Sequence, residues 1–203
     1  AILQDGRIVI RRDAGKLSRL ASLVDDQPVH GQVGIGHTRW ATHGEPNARN
    51  AHPHMGMTGN VVLVHNGIVE NFLELREELR AEGVVFNSDT DSEVIVHLVE
   101  RYLSTDTSLP EAVRRALQHL KGAHGIVVFS SKEPDKIVAA RIGNAGGVVI
   151  GLGQGETFIA SDLPAILDHT RHMVFLDSHQ MAVVTRQGVD VQTLRGERVD
   201  YEI

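Results

Sequence analysis

The sequence predicts an α+β protein in which mostly antiparallel sheets are covered by helices. Strand-like segments lie at both ends of the chain, and segments with helical periodicity lie in the middle. Short turns such as Gln154-Gly155 and Gln187-Gly188 separate successive strands, as in antiparallel pairs. Helices and strands that are grouped in this way are typical of α+β folds.

The first forty residues predict a hairpin, a helix and a further strand. The segments "AILQ" and "RIVIRR" flank the turn signal Asp5-Gly6. The segment "KLSRLASLV" has its three leucines on one face of an amphipathic helix. The apolar, glycine-spaced segment "VGIG" follows, so that Arg39 is expected where a strand ends and a loop begins.

The next segments predict a buried strand followed by a helix. The strand "VVLVH" is too apolar for the surface, and it runs into Asn66-Gly67. The segment "NFLELREELRAEG" has helical spacing of its apolar residues, and Gly83 is expected to end this helix as a C-cap.

Two more helices are predicted from capping-box pairs. Thr90 and Glu93 form such a pair at the start of "SDTDSEVIVHLVERYL". Ser108 and Glu111 repeat the pattern before "AVRRALQHL", and Pro110 suits the first turn.

Strands dominate the remainder of the chain. Seven strand-like segments follow Ala123: "GIVVFSS", "KIVAARIG", "GVVIGLG", "TFIASD", "HMVFLD", "QMAVVTR" and "VDVQTL". No repeat, low-complexity tract or linker divides the sequence, so one domain is expected over residues 1–203.

Composition and charge limit the classes of function. The formal net charge of −6 argues against nucleic acid or an anionic membrane as the main partner, because both bind basic surfaces. No apolar run approaches the roughly 20 residues that span a bilayer, and the N-terminus lacks the layout of a secretory signal. A cytoplasmic protein is therefore expected. The absence of cysteine excludes disulfides, thiolate metal ligands and a thiol nucleophile within these residues.

The histidine-rich stretch "HTRWATHGEPNARNAHPH", residues 37–54, raises the question of a metal site. Imidazole nitrogens can bind zinc. The spacing is unfavourable, because His52-Pro53-His54 is expected to send the two rings to opposite sides of an extended backbone. No HExxH helix supplies a general base either. No metal site is therefore expected, and the histidines are interpreted as polar loop residues.

Two charged residues allow two interpretations each. Arg39 can bind a carboxylate in bidentate fashion, or it can be a solvated arginine. Asp91 is expected in the first turn of a helix, where it can bind a ligand ammonium or simply complement the helix dipole.

Asn66-Gly67 also allows two interpretations. A backbone N–H from Gly67 and a side-chain donor from Asn66 can form a two-donor oxyanion hole. Asn-Gly is also the strongest hairpin dipeptide. The sequence "IVENFLELREEL" that follows turns helical instead of returning as a paired strand, which weakens the hairpin interpretation.

Four motifs carry a resemblance to a known family. The motifs "HTRWATHG", "NAHPH", "VVLVHNGIVEN" and "SDTDSEVIVHL", in this order and at these spacings, resemble the glutaminase domain of glucosamine-6-phosphate synthases, also called glutamine:fructose-6-phosphate aminotransferases (isomerizing). That domain is a class II glutamine amidotransferase of the N-terminal nucleophile hydrolase fold. The likeness covers nearly the whole chain. Trp40 and Thr42-His43 are more similar to this branch than to its purine-synthesis relative.

The resemblance implies a binding site for L-glutamine. Arg39 would hold the α-carboxylate, with Thr42 and His43 shaping the same loop around it. Asp91 would bind the α-ammonium. Trp40 would lie beside the pocket, where the family passes ammonia to the sugar site.

The resemblance also implies the catalytic groups and the architecture. Asn66 and Gly67 would stabilise the tetrahedral oxyanion, and no cofactor is expected. The fold would be a four-layer αββα sandwich. In the full enzyme, C-terminal isomerase domains would belong to the same polypeptide, and the enzyme would be a homodimer.

The sequence departs from the family at two places. Members begin with an N-terminal cysteine in a "CGIVG"-like strand, followed by a helix and an "RGYDSAG"-like stretch, and this sequence starts about where that stretch ends. The nucleophile, its amine base and the first core strand are therefore expected to be absent from residues 1–203, and the chain alone is expected to be inactive. The second departure is Asn144, Ala145 and Gly146, where the family has serine-proline-leucine.

A competing hypothesis is a non-catalytic amino-acid-binding or regulatory module of the same fold. The lack of a nucleophile in these residues fits this module equally well. A cysteine upstream in the parent gene product would separate the two hypotheses.

Overall fold

A computed structural model of the protein describes residues 1–103 and 107–203, and its elements follow the predicted order. The four helices are α1 (Leu17–Asp26), α2 (Phe72–Ala81), α3 (Glu93–Tyr102) and α4 (Leu109–Leu117). The strands are β1 (Ile2–Gln4), β2 (Arg7–Val9), β3 (His54–Met55), β4 (Val61–Gly67), β5 (His124–Ser130), β6 (Glu133–Ile142), β7 (Val149–Leu152), β8 (Thr157–Ala160), β9 (Met173–Phe175), β10 (Gln180–Thr185) and β11 (Gly188–Thr193). A short 3-10 helix spans Leu163–Ala165.

A six-stranded antiparallel sheet forms the centre of the structure, in the order β11-β10-β6-β5-β4-β3. The first five residues of β4 are buried, which explains the apolar run in its sequence. Asn66 pairs with Gly125 and Gly67 with His124, so β4 continues through the Asn-Gly dipeptide. These two residues therefore end a central strand and do not form a hairpin turn.

Helices α2, α3 and α4 cover one face of this sheet. Their apolar residues form one core cluster with alternate residues of the strands, such as Val138 and Ala140 on β6. The intervening Ala139 belongs to a different cluster on the opposite face. This alternation follows from the two-residue period of a β-strand.

A second, three-stranded antiparallel sheet of order β8-β7-β9 covers the other face of the large sheet. Ile150, Val174 and Leu176 pack there against Ala182 and Val184 of β10. The outer face of the small sheet packs on Ile166, next to the 3-10 helix. The predicted α+β class with mostly antiparallel sheets is thus confirmed.

The N-terminal region departs in one respect from the prediction. The hairpin of β1 and β2 forms as expected, with positive φ angles at Asp5 and Gly6. The "VGIG" segment is not a strand, because only Gly34 makes a bridge, to Ile2. Arg39 therefore follows an extended segment that is held at the edge of the hairpin.

The prediction of two capping boxes is wrong, although the helices that they were expected to start are present. The Glu93 carboxylate accepts hydrogen bonds from the backbone N–H groups of Asn87 and Ser88, both at 2.7 Å, and Thr90 Oγ1 lies 3.0 Å from His54 Nε2. Ser108 is at the N-cap of α4 but makes no side-chain capping bond. In the first box, Glu93 binds the loop that precedes α3 and Thr90 contacts a residue 36 positions away, so neither side chain makes the reciprocal bonds that a capping box requires.

Two elements have no counterpart among the predictions: the two-residue strand β3 and the 3-10 helix. Both are too short to show periodicity. Among the described residues, no helix is both long enough and apolar enough to cross a membrane.

Candidate active site

A cavity of about 250 Å³ lies at the end of β4, between the loop after residue 36 and the start of α3. Six of the seven predicted site residues line it: Arg39, Trp40, Thr42, Asn66, Gly67 and Asp91. Residues that are far apart in the sequence thus meet at one place. The seventh, His43, is described below.

Arg39 organises the loop on one side of the cavity. Its Nη2 donates to the carbonyls of His43 and Gly44, the latter at 2.9 Å, and its Nη1 donates to the carbonyl of Glu45 at 3.1 Å. Burial lowers the pKa of Arg39, and Asp91 opposes that change. A guanidinium has five N–H donors, so these three bonds leave donors for an anionic ligand.

Asp91 supplies the opposite charge. It lies two residues before α3, not in its first turn as predicted, and it is 2% exposed. Its Oδ2 accepts the backbone N–H of Val69 at 2.8 Å, and its Oδ1 lies 3.7 Å from His43 Nδ1. The carboxylate therefore makes no hydrogen bond to the N-terminal N–H groups of α3, and it can bind a cation from the cavity.

Asn66 and Gly67 bring two N–H sources to the end of β4. Gly67 has φ +132°, and a Cβ there would lie 2.1 Å from the carbonyl oxygen of Ala123. Only glycine fits this backbone. Asn66 lines the same cavity and accepts a short hydrogen bond at Oδ1, 2.6 Å from His37 Nε2. A backbone and a side-chain donor at one point can stabilise a developing oxyanion.

The remaining predicted residues differ in their contacts. Trp40 is 90% exposed at the mouth of the cavity, and Thr42 is also exposed. His43 does not line the cavity itself. It packs edge-on against Phe72, with ring centroids 4.8 Å apart, and its Nδ1 lies 3.7 Å from Asp91 Oδ1.

Histidines form one wall of the site. The rings of His37 and His52 are 4.3 Å apart, and those of His52 and His54 are 4.6 Å apart in an edge-to-face arrangement. The expectation that His52 and His54 point to opposite sides was wrong, and the peptide bond before Pro53 is cis. Burial lowers the pKa of His54 to about 4. Within residues 1–103 and 107–203, no three potential ligand side chains converge on a metal position.

A second histidine pair supports the floor of the cavity. His65 Nδ1 lies 2.8 Å from Ser92 Oγ, and its Nε2 lies 3.1 Å from His124 Nδ1. Burial lowers the pKa of His65 to about 3, and the neighbouring His124 makes the second-largest contribution to this lowering. These neutral rings carry no competing charge next to Asp91.

Sequence reasoning missed several residues of the site. His37, His52, His65, Thr90 and Ser92 also line the cavity. All of them lie within the four motifs that carried the family resemblance, and that clustering was the available signal.

The departure from the family at residues 144–146 also lies at the site. A Cβ on Gly146 would be 3.8 Å from the Cβ and Nδ2 atoms of Asn66. The unusual loop is therefore a neighbour of the amide proposed to act in catalysis.

Comparison with known proteins gives a consistent set of similarities. A family described as the glutamine amidotransferase domain matches residues 24–195. The glutamine–fructose-6-phosphate aminotransferase (isomerizing) of Chlorobaculum tepidum is 51% identical over 195 residues, which cover 94% of this chain and 31% of that protein. The enzyme of the same name from Vibrio parahaemolyticus is 50% identical over 192 residues, 95% of this chain and 31% of that protein. The chain spans about a third of the length of the curated relatives it matches.

Solved structures agree on the fold. The glutamine phosphoribosylpyrophosphate amidotransferase from B. subtilis superposes with a TM-score of 0.76 at 23% identity, over 94% of this chain and 41% of that chain. The structure described as the allosteric regulatory enzyme of purine biosynthesis gives 0.73 at 24% identity, over 89% and 39%. At this identity, the likeness concerns the fold alone.

Proposed function

The chain belongs to the glutamine amidotransferase domain family, and from that premise we propose that it is the glutaminase domain of a glutamine:fructose-6-phosphate aminotransferase. The domain releases ammonia from L-glutamine and leaves glutamate. The intact enzyme uses this ammonia to aminate fructose 6-phosphate to glucosamine 6-phosphate.

One observation carries the proposal: Arg39, Asp91, Asn66 and Gly67 line the same cavity. An amino acid needs an anionic and a cationic partner for its head group, and Arg39 and Asp91 provide them. The cavity of about 250 Å³ is smaller than the ~300–1,000 Å³ of sites for drug-sized ligands, as suits an amino acid.

The proposed mechanism divides the work between these groups. Arg39 binds the α-carboxylate and Asp91 the α-ammonium, which orients the side-chain amide towards Asn66 and Gly67. A nucleophile adds to the amide carbon, and the oxyanion that forms accepts hydrogen bonds from Asn66 Nδ2 and the Gly67 N–H. The proton that the nucleophile gives up passes to the amide nitrogen, so that ammonia leaves as the carbonyl reforms. Water then hydrolyses the acyl intermediate to glutamate and restores the protonated nucleophile.

The loop around Arg39 completes the site. Thr42 lines the cavity, His43 supports Asp91 and the loop next to it, and exposed Trp40 borders the route by which ammonia leaves. No cofactor or metal takes part in this chemistry.

The resemblance to the family implies a cysteine nucleophile, and residues 1–203 contain no cysteine. This thiol is therefore proposed to lie outside residues 1–203. The chain by itself is then inactive. "Intact enzyme" below means a polypeptide that joins residues 1–203 to this nucleophile. We also propose that residues 1–203 form a single domain, that the intact enzyme has C-terminal isomerase domains, and that it is a homodimer.

The finer architecture is part of the same proposal. A four-layer αββα sandwich has helices on both outer faces and two sheets between them. The layer of α2, α3 and α4, the six-stranded sheet and the three-stranded sheet support three of these layers. The first core strand of the fold is proposed to lie with the nucleophile, outside residues 1–203.

The oxyanion role gives a direct test in the intact enzyme. Asn66→Ala is expected to lower kcat for glutamine hydrolysis by about 100- to 1,000-fold, the range for losing one oxyanion donor, with little change in KM. Glutamate release measures both constants. Asn60→Ala, near the opposite end of β4, is the control and should retain normal turnover. Normal turnover in Asn66→Ala would remove this residue from the mechanism, and a protein that binds glutamine without turnover would favour a binding module.

A further inference from the structure

We infer that His37 is a positioning residue, which holds the side-chain amide of Asn66 with its NH2 group towards the cavity. The inference rests on the proposed function, in which Asn66 donates to the oxyanion. His37 itself does not contact the reacting atoms in this scheme. Its effect on the reaction passes through the orientation of one amide.

The contact that carries the inference is short and direct. His37 Nε2 lies 2.6 Å from Asn66 Oδ1, and both residues line the same cavity. The two residues are 29 positions apart in the sequence, so the contact depends on the fold of the loop after residue 36. A side-chain amide can rotate by half a turn and exchange its oxygen and nitrogen, and only its hydrogen-bond partners decide between the two orientations.

The other ring nitrogen of His37 indicates where the proton lies. Nδ1 is buried and has no hydrogen-bond partner in the described structure. A neutral imidazole has one N–H group. With the proton on Nδ1, a buried N–H donor would have no acceptor. With the proton on Nε2, Nδ1 is instead an acceptor without a donor. Orphaned buried N–H groups are the rarer of the two in native structures.

The charge state of His37 decides how many of its ring nitrogens can donate a hydrogen bond. Burial lowers its pKa, the hydrogen bond to Asn66 opposes that change, and the nearby Arg39 lowers the pKa further. The ring is therefore neutral near pH 7 and carries a single proton. Placed on Nε2, that proton is donated to Asn66 Oδ1.

The consequence for Asn66 follows from the geometry of an amide. With Oδ1 bound to His37, Nδ2 points away from the histidine. Nδ2 donates no hydrogen bond to any described residue, and Gly146 beside it offers no side chain to hold it. His37 is thus the side chain that specifies the orientation. In the reversed orientation, Asn66 would present its carbonyl oxygen to the oxyanion, and the two oxygens would repel each other.

The test replaces His37 in the intact enzyme by residues that differ in one property. Phenylalanine retains an aromatic ring but has no donor. Glutamine carries an N–H donor at about the reach of Nε2, and asparagine carries the same donor on a side chain one carbon shorter. We expect His37→Phe and His37→Asn to lower kcat for glutamine hydrolysis by about 10-fold, with KM within about twofold. His37→Gln should restore most of the activity.

A double-mutant cycle with Asn66→Ala separates positioning from a structural role. Once the amide is removed, His37 has nothing to orient, so His37→Phe should cause no further loss of kcat in the Asn66→Ala background. A structural role would instead add the same loss in both backgrounds, and His37→Gln would not restore kcat. His30→Phe, which replaces an exposed histidine, is the control for the loss of an imidazole.

The outcomes distinguish this inference from the proposed function. Normal turnover in Asn66→Ala would refute the oxyanion role of Asn66, and the inference would fall with it. Suppose that Asn66→Ala causes a large loss. The inference is then refuted, and the proposed function left intact, if His37→Phe has a normal kcat, if it changes only KM, or if its loss adds to that of Asn66→Ala. A kcat loss that glutamine restores and that vanishes in the Asn66→Ala background supports the inference.

Discussion

At the residue scale, Asp91 combines a structural hydrogen bond with the proposed recognition of an ammonium group. One oxygen accepts the Val69 N–H at 2.8 Å, which ties the start of α3 to the segment after β4. The other oxygen is directed to the side of His43 and the cavity. The two oxygens therefore permit a substitution that removes the charge and retains the structural bond.

Asp91→Asn is expected to raise KM for glutamine in the intact enzyme by about 10- to 100-fold, with kcat nearly unchanged. The asparagine carbonyl can still accept the Val69 N–H, but it cannot pair with the α-ammonium, and hydrogen bonds to charged groups contribute about 1.5–3 kcal/mol. Steady-state kinetics with varied glutamine measures the change. Asp89→Asn is the matched control, because Asp89 is an exposed carboxylate that pairs with Arg49. Equal effects of the two substitutions would argue against the assigned role of Asp91.

The candidate site was predictable from residue types and motifs, but its contacts were not. The resemblance pointed to Arg39, Asn66 and Asp91, and all three line one cavity. Nothing in the sequence indicated that Asp91 would bind the Val69 N–H, because that contact needs the end of β4 and the start of α3 to come together. The same reason explains why the hydrogen bond from His37 to Asn66 was missed.

At the element scale, the end of α2 follows from a single glycine. Gly83 has φ +92°, its N–H donates to the Arg80 carbonyl at 3.0 Å, and the Val84 N–H donates to the Leu79 carbonyl at 3.0 Å. This pair of bonds is the Schellman motif, which satisfies carbonyls that the helix leaves free. The predicted C-cap was therefore accurate, because the requirement for a positive φ is local and is visible in the sequence.

Gly83→Ala is expected to lower the free energy of unfolding by about 1–2 kcal/mol, since an L-residue in the left-handed region costs that much. A Cβ at Gly83 would meet no atom within 4 Å, so the loss isolates backbone strain from steric overlap. Urea denaturation of the 203-residue chain gives the value. Gly36→Ala is the matched control, because its Cβ would also meet nothing within 4 Å and its φ is not positive. The control should change stability by less than about 0.5 kcal/mol, and a similar loss in both variants would contradict the explanation.

The capping boxes show where local patterns fail at this scale. Glu93 is present at the predicted spacing from Thr90, but its carboxylate binds Ser88 and Asn87, while Thr90 contacts His54 of β3. A capping box forms only where these side chains have no better partners, and here the preceding loop binds Glu93 while β3 binds Thr90. The pairs β7–β8 and β10–β11 had no such competitors, because glycine-containing turns and apolar runs specify each of these hairpins locally.

At the scale of the whole molecule, buried histidines link the site to the stability of the fold. His52, His54, His65 and His124 are buried between β3, β4, β5 and the start of α3. Burial is the largest cause of the lowered pKa in His54, to about 4, and in His65, to about 3, and it also lowers the pKa of His124. These groups are neutral in the folded protein at pH values where an unfolded chain protonates them.

The two glutamates that contact His97 titrate below this range. Burial would raise the pKa of Glu93 and of Glu100, but the interaction with His97, at 3.5 and 3.9 Å, and then hydrogen bonds from Ser88 and Thr58 lower both to about 2. Their contribution is present above their unfolded pKa of about 4.3 and is lost only at more acidic pH. Burial also lowers the pKa of His97, but its two glutamate partners outweigh this and raise it. The contribution of His97 is complete below about pH 6.5 and is lost at higher pH.

The Ala1 ammonium, whose pKa burial lowers to about 6, titrates in the upper part of the window between pH 6.5 and pH 5, and the neutral buried histidines dominate its lower part. In this window the unfolded chain binds more protons than the folded protein, so the free energy of unfolding must fall as the pH falls. Each histidine that stays neutral contributes a slope that rises from about 0.7 kcal/mol per pH unit at pH 6.5, where half of the unfolded histidines are protonated, towards about 1.4 kcal/mol per unit near pH 5. His54 and His65 together therefore predict a mean slope of about 2 kcal/mol per unit. Urea denaturation of the 203-residue chain at half-unit pH steps measures this slope.

Single substitutions assign the slope to named residues. His65→Gln removes one titrating group, so the mean slope should fall by about 1 kcal/mol per pH unit even where the variant is less stable overall. His30→Gln removes an exposed histidine and should leave the slope unchanged. Stability that does not vary between pH 6.5 and 5, or an unchanged slope in His65→Gln, would show that these histidines are protonated in the folded state. The cavity floor next to Asp91 would then carry positive charge, and the electrostatic basis for binding an ammonium group there would be lost.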